Sequence, residues 1–366
     1  MPAWKLAVGS GEFWNLAHAD IAAARRRVLI QAMTWEGDAA GLPVAQAVGG
    51  SRAADRRVLV DDYTRHNIND TMLAFSRSPE LRAEQQATHA MFARLASQDV
   101  GVRVTDPVGR NPARFVSRNH KKLLVMDGVA WLGGINFSDH NFDWHDAMLR
   151  IEDGAIADWL AAQFDREWNG APTYERREFG EGLPLLSLDG ATNEAGFAGI
   201  LQLIEGAGSH IEVLSAYPTQ PFTEAMARAA ARGVEVTIHT PWPSNKRTVR
   251  DYLLGFAPRY GIALSLLPRM THAKVAVIDG HTMLFGSSNF DFASYRVNNE
   301  YVAIIRDAAL IHEVVQRLLV PARESGREGA GGEIGHWRQK AAHLALNLAE
   351  AAVRRVGKGA RIAEWE

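Results

Sequence analysis

Short apolar runs rich in Val, Ile and Leu alternate along the chain with longer stretches whose apolar residues recur every three or four positions. Runs of the first kind read as buried strands and stretches of the second as amphipathic helices, so periodicity orders the elements. In the first half it predicts a helix near 13–25, a strand at 27–33, a helix near 42–54 and a strand at 58–61. A long polar helical region from 67 to about 97 and a strand at 102–104 come next. Strands at 129–132 and 147–151 and an amphipathic helix at 155–168 close this half. Gly, Pro and charge then cluster up to residue 190, as in a linker.

The order restarts after that linker. Helices are predicted at 194–204, 222–232 and near 246–254, interleaved with strands at 211–216, 234–238 and 262–266. Two half-chains of like order indicate duplication, and strands separated by helices indicate a layered α/β sheet. The expected division is 1–170 and 191–325 as two domains, 171–190 as linker, and 326–366 as a Gly-rich linker with a C-terminal amphipathic helix. In that last segment Trp337, Ala341, Leu344, Leu348, Ala352 and Val356 recur at helical spacing, with Arg338, Lys340, Arg354, Arg355 and Lys358 nearby. Such a helix either docks on its own domain, the commoner case, or lies on an anionic membrane.

One short pattern occurs at matching places in both halves. His120, Lys122, Asp127 and Gly128 repeat 152 residues later as His272, Lys274, Asp279 and Gly280. Each copy runs on into a similar tail, Gly133-Gly134-Ile135-Asn136 and Gly286-Ser287-Ser288-Asn289. On a strand, His and Lys two apart share a face, whereas an Asp seven after the His points the other way. His120, Lys122, His272 and Lys274 are thus the candidates for a shared pocket, and Asp127 and Asp279 are assigned to stabilising the turns before the glycines.

Two imidazoles can divide a displacement at phosphorus, one attacking and the other protonating the departing oxygen. The lysines would neutralise the non-bridging oxygens without a metal, and Asn136 and Asn289 offer neutral donors to them. A nucleophilic imidazole needs its second nitrogen held, normally by a carboxylate. Asp146, 26 residues after His120, and Glu300, 28 after His272, are the candidates.

Composition restricts the choice of substrate. With 40 Lys and Arg against 42 Asp and Glu, the net charge is −2, which counts against nucleic acid as the partner. The absence of cysteine excludes disulfides and thiolate chemistry. No secretion signal or apolar run of about 18 residues is evident. A cytoplasmic protein is expected, with contact to the inner face of the membrane left open. The cluster Asp139, His140, Asp143, His145 and Asp146 lacks metal-ligand spacing, so neither metal nor cofactor is expected. Arg110, Arg114 and Arg118 form a basic approach to His120; Arg114 and Arg118, with Ser288 in the second tail, are candidate substrate contacts.

The paired motifs and their Asn-containing tails resemble the phospholipase D superfamily over about residues 10–320. Within it, Trp144-His145-Asp146 and Asn298-Asn299-Glu300 after the tails look like bacterial cardiolipin synthases. The resemblance implies two duplicated α/β domains, each a mixed sheet flanked by helices, packed with pseudo-twofold symmetry about one active site. It implies a phosphohistidine intermediate without metal, and His120 is assigned as the nucleophile. The expected activity is phosphatidyl transfer from a phospholipid to an alcohol, with a hydrolytic phospholipase D and a nucleic-acid phosphodiesterase as alternatives. The chain lacks the N-terminal membrane segments of the membrane-embedded cardiolipin synthases, which points to a peripheral relative.

Overall fold

Nearly every residue of the strand Arg27–Ala32 is buried, so one sheet face cannot be wet and both must carry cover. Val28, Ile30 and Ala32 point into one core together with Val58, Val60, Phe92 and Trp131. Phe13, Ala17 and Ile21, one turn apart on the helix Ser10–Ala23, cover that side. Burying each of the larger side chains contributes about 1.5–3 kcal/mol. The computed structural model describes residues 2–109, 112–180, 182–355 and 362–365, and the chain forms two compact units. One is Met1–Thr173 with Lys358–Glu366, and the other is Tyr174–Gly357.

The first unit's sheet runs Ala3–Val8, Ala147–Glu152, Val129–Gly133, Leu123–Met126, Arg27–Ala32, Asp55–Asp61, Gly101–Thr105 and Ile362–Glu364. Arg27–Ala32, Asp55–Asp61 and Gly101–Thr105 are parallel and the remaining pairs antiparallel. The second unit repeats seven of these positions in the same order: Pro184–Asp189, Asn299–Ile305, Thr282–Gly286, Val275–Ile278, His210–Leu214, Glu235–Pro241 and Ala263–Leu267. Its edges are Glu175–Glu178 and Arg327–Glu328. Even helix starts correspond, since Asp153 accepts from Ala155 and Ile156 N–H and Asp307 from Ala309 and Leu310 N–H.

Three sequence expectations are corrected. Residues 171–190 are no linker: Pro184–Asp189 occupies the sheet position that Ala3–Val8 holds in the first unit, a strand that periodicity does not predict either. Pro184 opens the strand, where a missing N–H is tolerated, after a turn with Gly180 and Gly182 at positive φ. The long helix from 67 begins only at Pro79, capped by the Ser78 hydroxyl, because the hairpin Asn67–Ile68 and Thr71–Met72 precedes it. Last, 326–366 is not one appendage. The helix His336–Val353 packs Ala342, Leu346 and Val353 inward and belongs to the second unit, whereas Ile362–Glu364 pairs with Gly101–Thr105 of the first.

Candidate functional site

In the first unit, strand pairing gathers the motif residues at one end of the sheet. Leu123 pairs with Leu132 and Gly133 with Met148, so Lys122, Gly134 and Asp146 leave three adjacent strands at the same edge. His120 and Lys122 lie in the extended segment leading into Leu123–Met126, not within the strand. Both are buried, and Lys122 Nζ donates to the His120 carbonyl at 2.8 Å, which fixes the ammonium beside its own histidine. Asn136 Oδ1 accepts from Thr34 N–H at 3.3 Å and its amide donates to Asn141. The Asp146 carboxylate accepts Ala147 N–H at 2.7 Å and lies so close to Gly134 that a Cβ there would meet it at 2.3 Å.

The second unit builds the same arrangement from slightly different parts. Val275 pairs with Phe285 and Gly286 with Val302, bringing Lys274, Ser287 and Glu300 to one sheet end. Lys274 Nζ donates to the His272 carbonyl. Glu300 is fully buried and accepts from the hydroxyls of Ser287 and, at 2.7 Å, Ser294. Ser287 stands where the first unit has Gly134, so a hydroxyl donor faces this acid and bare backbone faces the other. Asn289 Oδ1 is buried with no hydrogen-bond partner among the described residues. Ser288 is buried at the turn, its hydroxyl 3.4 Å from Phe290 N–H.

Asp127 and Asp279 are placed beyond the opposite end of each motif strand, five residues after Lys122 and Lys274 and roughly 16 Å away at ~3.3 Å per residue. Both have left-handed backbone, φ 49° and 51°. Asp127 accepts N–H groups from Arg25, Arg26 and Arg27, and Asp279 accepts those of Gly208, Ser209 and His210 with the Ser209 hydroxyl. Although burial works the other way, this convergence of N–H groups holds both carboxyls below the usual carboxylate range.

Arg118 does not serve as an approach residue. It is buried, pairs with Asp61 at 2.8 Å and donates to the carbonyls of Ser117, Asp106 and Arg114. Asp61 also accepts Asn119 N–H, and Glu167 accepts from Asn119 and from the buried Lys121 ammonium at 2.6 Å, so this network anchors the segment that carries His120. Arg114 lies on the short turn Pro112–Val116, while Arg110, Val356 and Lys358 lie outside the described residues. In the His/Asp cluster two members bond to neighbouring loops: Asp139 accepts Ala40 N–H at 2.7 Å and His140 Nδ1 lies 3.0 Å from Asn69 Oδ1. Among the described residues, the carboxylates close enough to share an ion are instead Glu36, Asp38 and Glu84.

Sequence reasoning misses several neighbours of the second motif. The Tyr217 ring meets His272 edge-on with centroids 6.0 Å apart, its hydroxyl donates to Asn245, and Lys246 Nζ sits 4.2 Å from the centre of the same ring. Asp291 is buried and caps Ser294 N–H; burial pushes its carboxyl up, opposed by the Lys246 charge. Ser294 carries no sequence signal, because its role depends on a fold-back toward Glu300. Chemically, each unit presents an imidazole, an adjacent fixed cation, a carboxamide and a buried carboxylate, a set suited to a tetrahedral or pentacoordinate anionic centre.

Comparison with known proteins bears on the family and the fold. The family model described as "Cardiolipin synthase, PLD-like domain" matches residues 18–168 and 200–319. A cardiolipin synthase of Listeria monocytogenes is 27% identical over 233 residues, covering 56% of this chain and 48% of that protein. Cardiolipin synthase 2 of Staphylococcus epidermidis is 29% identical over 239 residues, with the same coverages. The chain thus spans about half the length of the curated relatives it matches. Among solved structures, the phosphatidylserine synthase of Haemophilus influenzae Rd KW20 shares the fold with TM-score 0.70 at 15% identity, over 97% of this chain and 95% of that one. With its family match extending through both halves and both motifs, the chain belongs to the phospholipase D-like family of cardiolipin synthase domains.

Proposed function

We propose that the chain is a phosphatidyltransferase of the cardiolipin synthase type, moving a phosphatidyl group from a phospholipid to an alcohol. The observation that carries this reading is the twofold occurrence of one arrangement, a buried His whose carbonyl holds the motif Lys, beside an Asn and a buried acid. The names of the curated relatives supply the substrate class. His120 attacks phosphorus, forming a P–N bond as the bond to the headgroup alcohol breaks, and His272 gives its proton to the departing oxygen. His272 then takes the proton of the acceptor hydroxyl, whose oxygen displaces His120. Lys122, Lys274, Asn136 and Asn289 stabilise the phosphoryl oxygens, and Asp146 and Glu300 orient the imidazoles.

Phospholipid substrates imply work at a bilayer surface, as a peripheral protein on the inner face of the membrane. Among the described residues no helix is long and apolar enough to cross a membrane. The test is incubation with phosphatidylglycerol vesicles followed by mass analysis. Cardiolipin with released glycerol is the expected product; phosphatidic acid would instead show water as acceptor. Absence of any lipid turnover alongside cleavage of DNA would overturn the proposal.

A further inference from the structure

The helix His336–Val353 carries two apolar stripes, and its own unit uses only one of them. Ala342 and Leu346 are buried in the second unit's core, and Val353 is buried in line with them. On the far side Trp337, Leu344 and Leu348 are 82%, 59% and 62% exposed. At 3.6 residues per turn these three fall in line with Ala341 and Ala351, along a ridge that holds no acidic residue. The helix's one acid, Glu350, lies off this ridge and is tied to Arg296 and Arg354. Cations border the ridge: Lys340, its ammonium 5.5 Å over the Trp337 ring, and exposed Arg355 at its end. Beside it a hollow of about 340 Å³ is edged by Arg259, Tyr260 and Lys340.

We infer that this outer face is the surface by which the chain lies on an anionic phospholipid bilayer. The inference rests on the lipid reading above and names the face that performs the contact. An exposed Trp with aligned leucines gains by entering the boundary between headgroups and acyl chains, where an indole places its ring in lipid and its N–H in water. Charge complementarity selects the occupant. Two copies meeting along this ridge would bring Lys340 and Arg355 toward a surface that offers no acid, whereas anionic headgroups neutralise both.

The test is co-sedimentation of the full chain with sucrose-loaded vesicles, read by the fraction bound and independent of turnover. The native chain is expected to bind phosphatidylglycerol vesicles and to leave phosphatidylcholine vesicles unbound. Trp337→Ser/Leu344→Ser/Leu348→Ser should reduce the partition at least tenfold while staying folded, with its unfolding temperature lowered only slightly, because all three side chains are more than half exposed. Lys340→Glu and Arg355→Glu should each weaken binding about fivefold or more, an effect that disappears in high salt. A triple variant that binds as the native chain does would overturn the inference, as would a native chain that binds neither vesicle and instead loses a dimer when the three residues are replaced. The His120→Ala chain should bind like native. Vesicle binding without any phospholipid turnover by the native chain would therefore defeat the proposed activity and leave the face standing.

Discussion

Replacing Gly134 with Ala isolates the role of Asp146 with a single methyl group. The glycine's φ lies outside the left-handed region, so the substitution does not force a side chain into that conformation. Its new Cβ would lie 2.3 Å and 2.6 Å from the two Asp146 carboxylate oxygens and 2.8 Å from Cγ. Ordinary contact at about 3.4 Å requires the carboxylate to retreat by roughly 1 Å. Asp146 is only 2% exposed and its Oδ1 holds Ala147 N–H at 2.7 Å, so the retreat distorts a buried acid instead of swinging a surface one. Overpacking of this kind costs about 1–3 kcal/mol of stability. A misplacement of about 1 Å in a positioning group lowers turnover by about 100-fold. The assay is kcat for phosphatidyl transfer at a temperature well below the variant's Tm, with Gly199→Ala as control. Gly199 lies on the helix Asn193–Glu205 with open space around its Cβ, so the same change there should stabilise by up to about 1 kcal/mol and leave kcat alone. A Gly134→Ala enzyme within threefold of native kcat would refute the assignment of Asp146 as the group that orients the first-unit imidazole.

Four further outcomes follow from buried or converging charges. Asp279→Asn should cost about 1–2 kcal/mol in urea unfolding at pH 7, since the carboxylate accepts three N–H groups and a hydroxyl while nearby water screens part of their effect. Because the folded Asp279 and Asp127 titrate below their unfolded values, their stabilisation is complete above about pH 4 and lost as pH falls through the depressed values. Stability of Asp127→Asn or Asp279→Asn should accordingly fall less steeply than native below pH 4, and identical acid slopes would contradict this. Glu36 is driven the other way, raised to about 9 by burial, so its contribution is present in full below about pH 4.5 and lost as pH rises toward 9; Glu36→Gln should remove that alkaline decline in ΔG of unfolding. Lys121→Met should destabilise by about 3–5 kcal/mol in the same measurement, because it strands the buried Glu167 carboxylate, and a neutral result would show that the pair is dispensable.

Much of the site is legible in the chain because both motifs are local. Face alternation does not separate His and Lys from the Asp, since His120 and Lys122 precede the strand and Asp127 follows it; the turn geometry of Asp127 and Asp279 is set within a few residues of each. The helix ends are less legible. Asn67 to Phe75 has helical composition, yet its residues form a hairpin and a tight turn because Ser78 and Pro79 start the helix later. Arg118 reads as a surface arginine, and only the pairing of Gly101–Thr105 with Asp55–Asp61 brings it to Asp61 and the Asp106 carbonyl.

By itself the sequence determined the duplication, the order of most strands and helices, and the residue types able to act at phosphorus, since periodicity and motif spacing are properties of neighbours along the chain. Tertiary structure decided which strands lie side by side, and with that which groups meet. Pro184–Asp189 joins the sheet although its composition reads as linker, Gly134 leaves room for Asp146, and Ser287 and Ser294 turn their hydroxyls to Glu300. Those meetings join residues from separate strands and loops, and burial makes them count: in a site closed to water each acid takes the donors its neighbours bring.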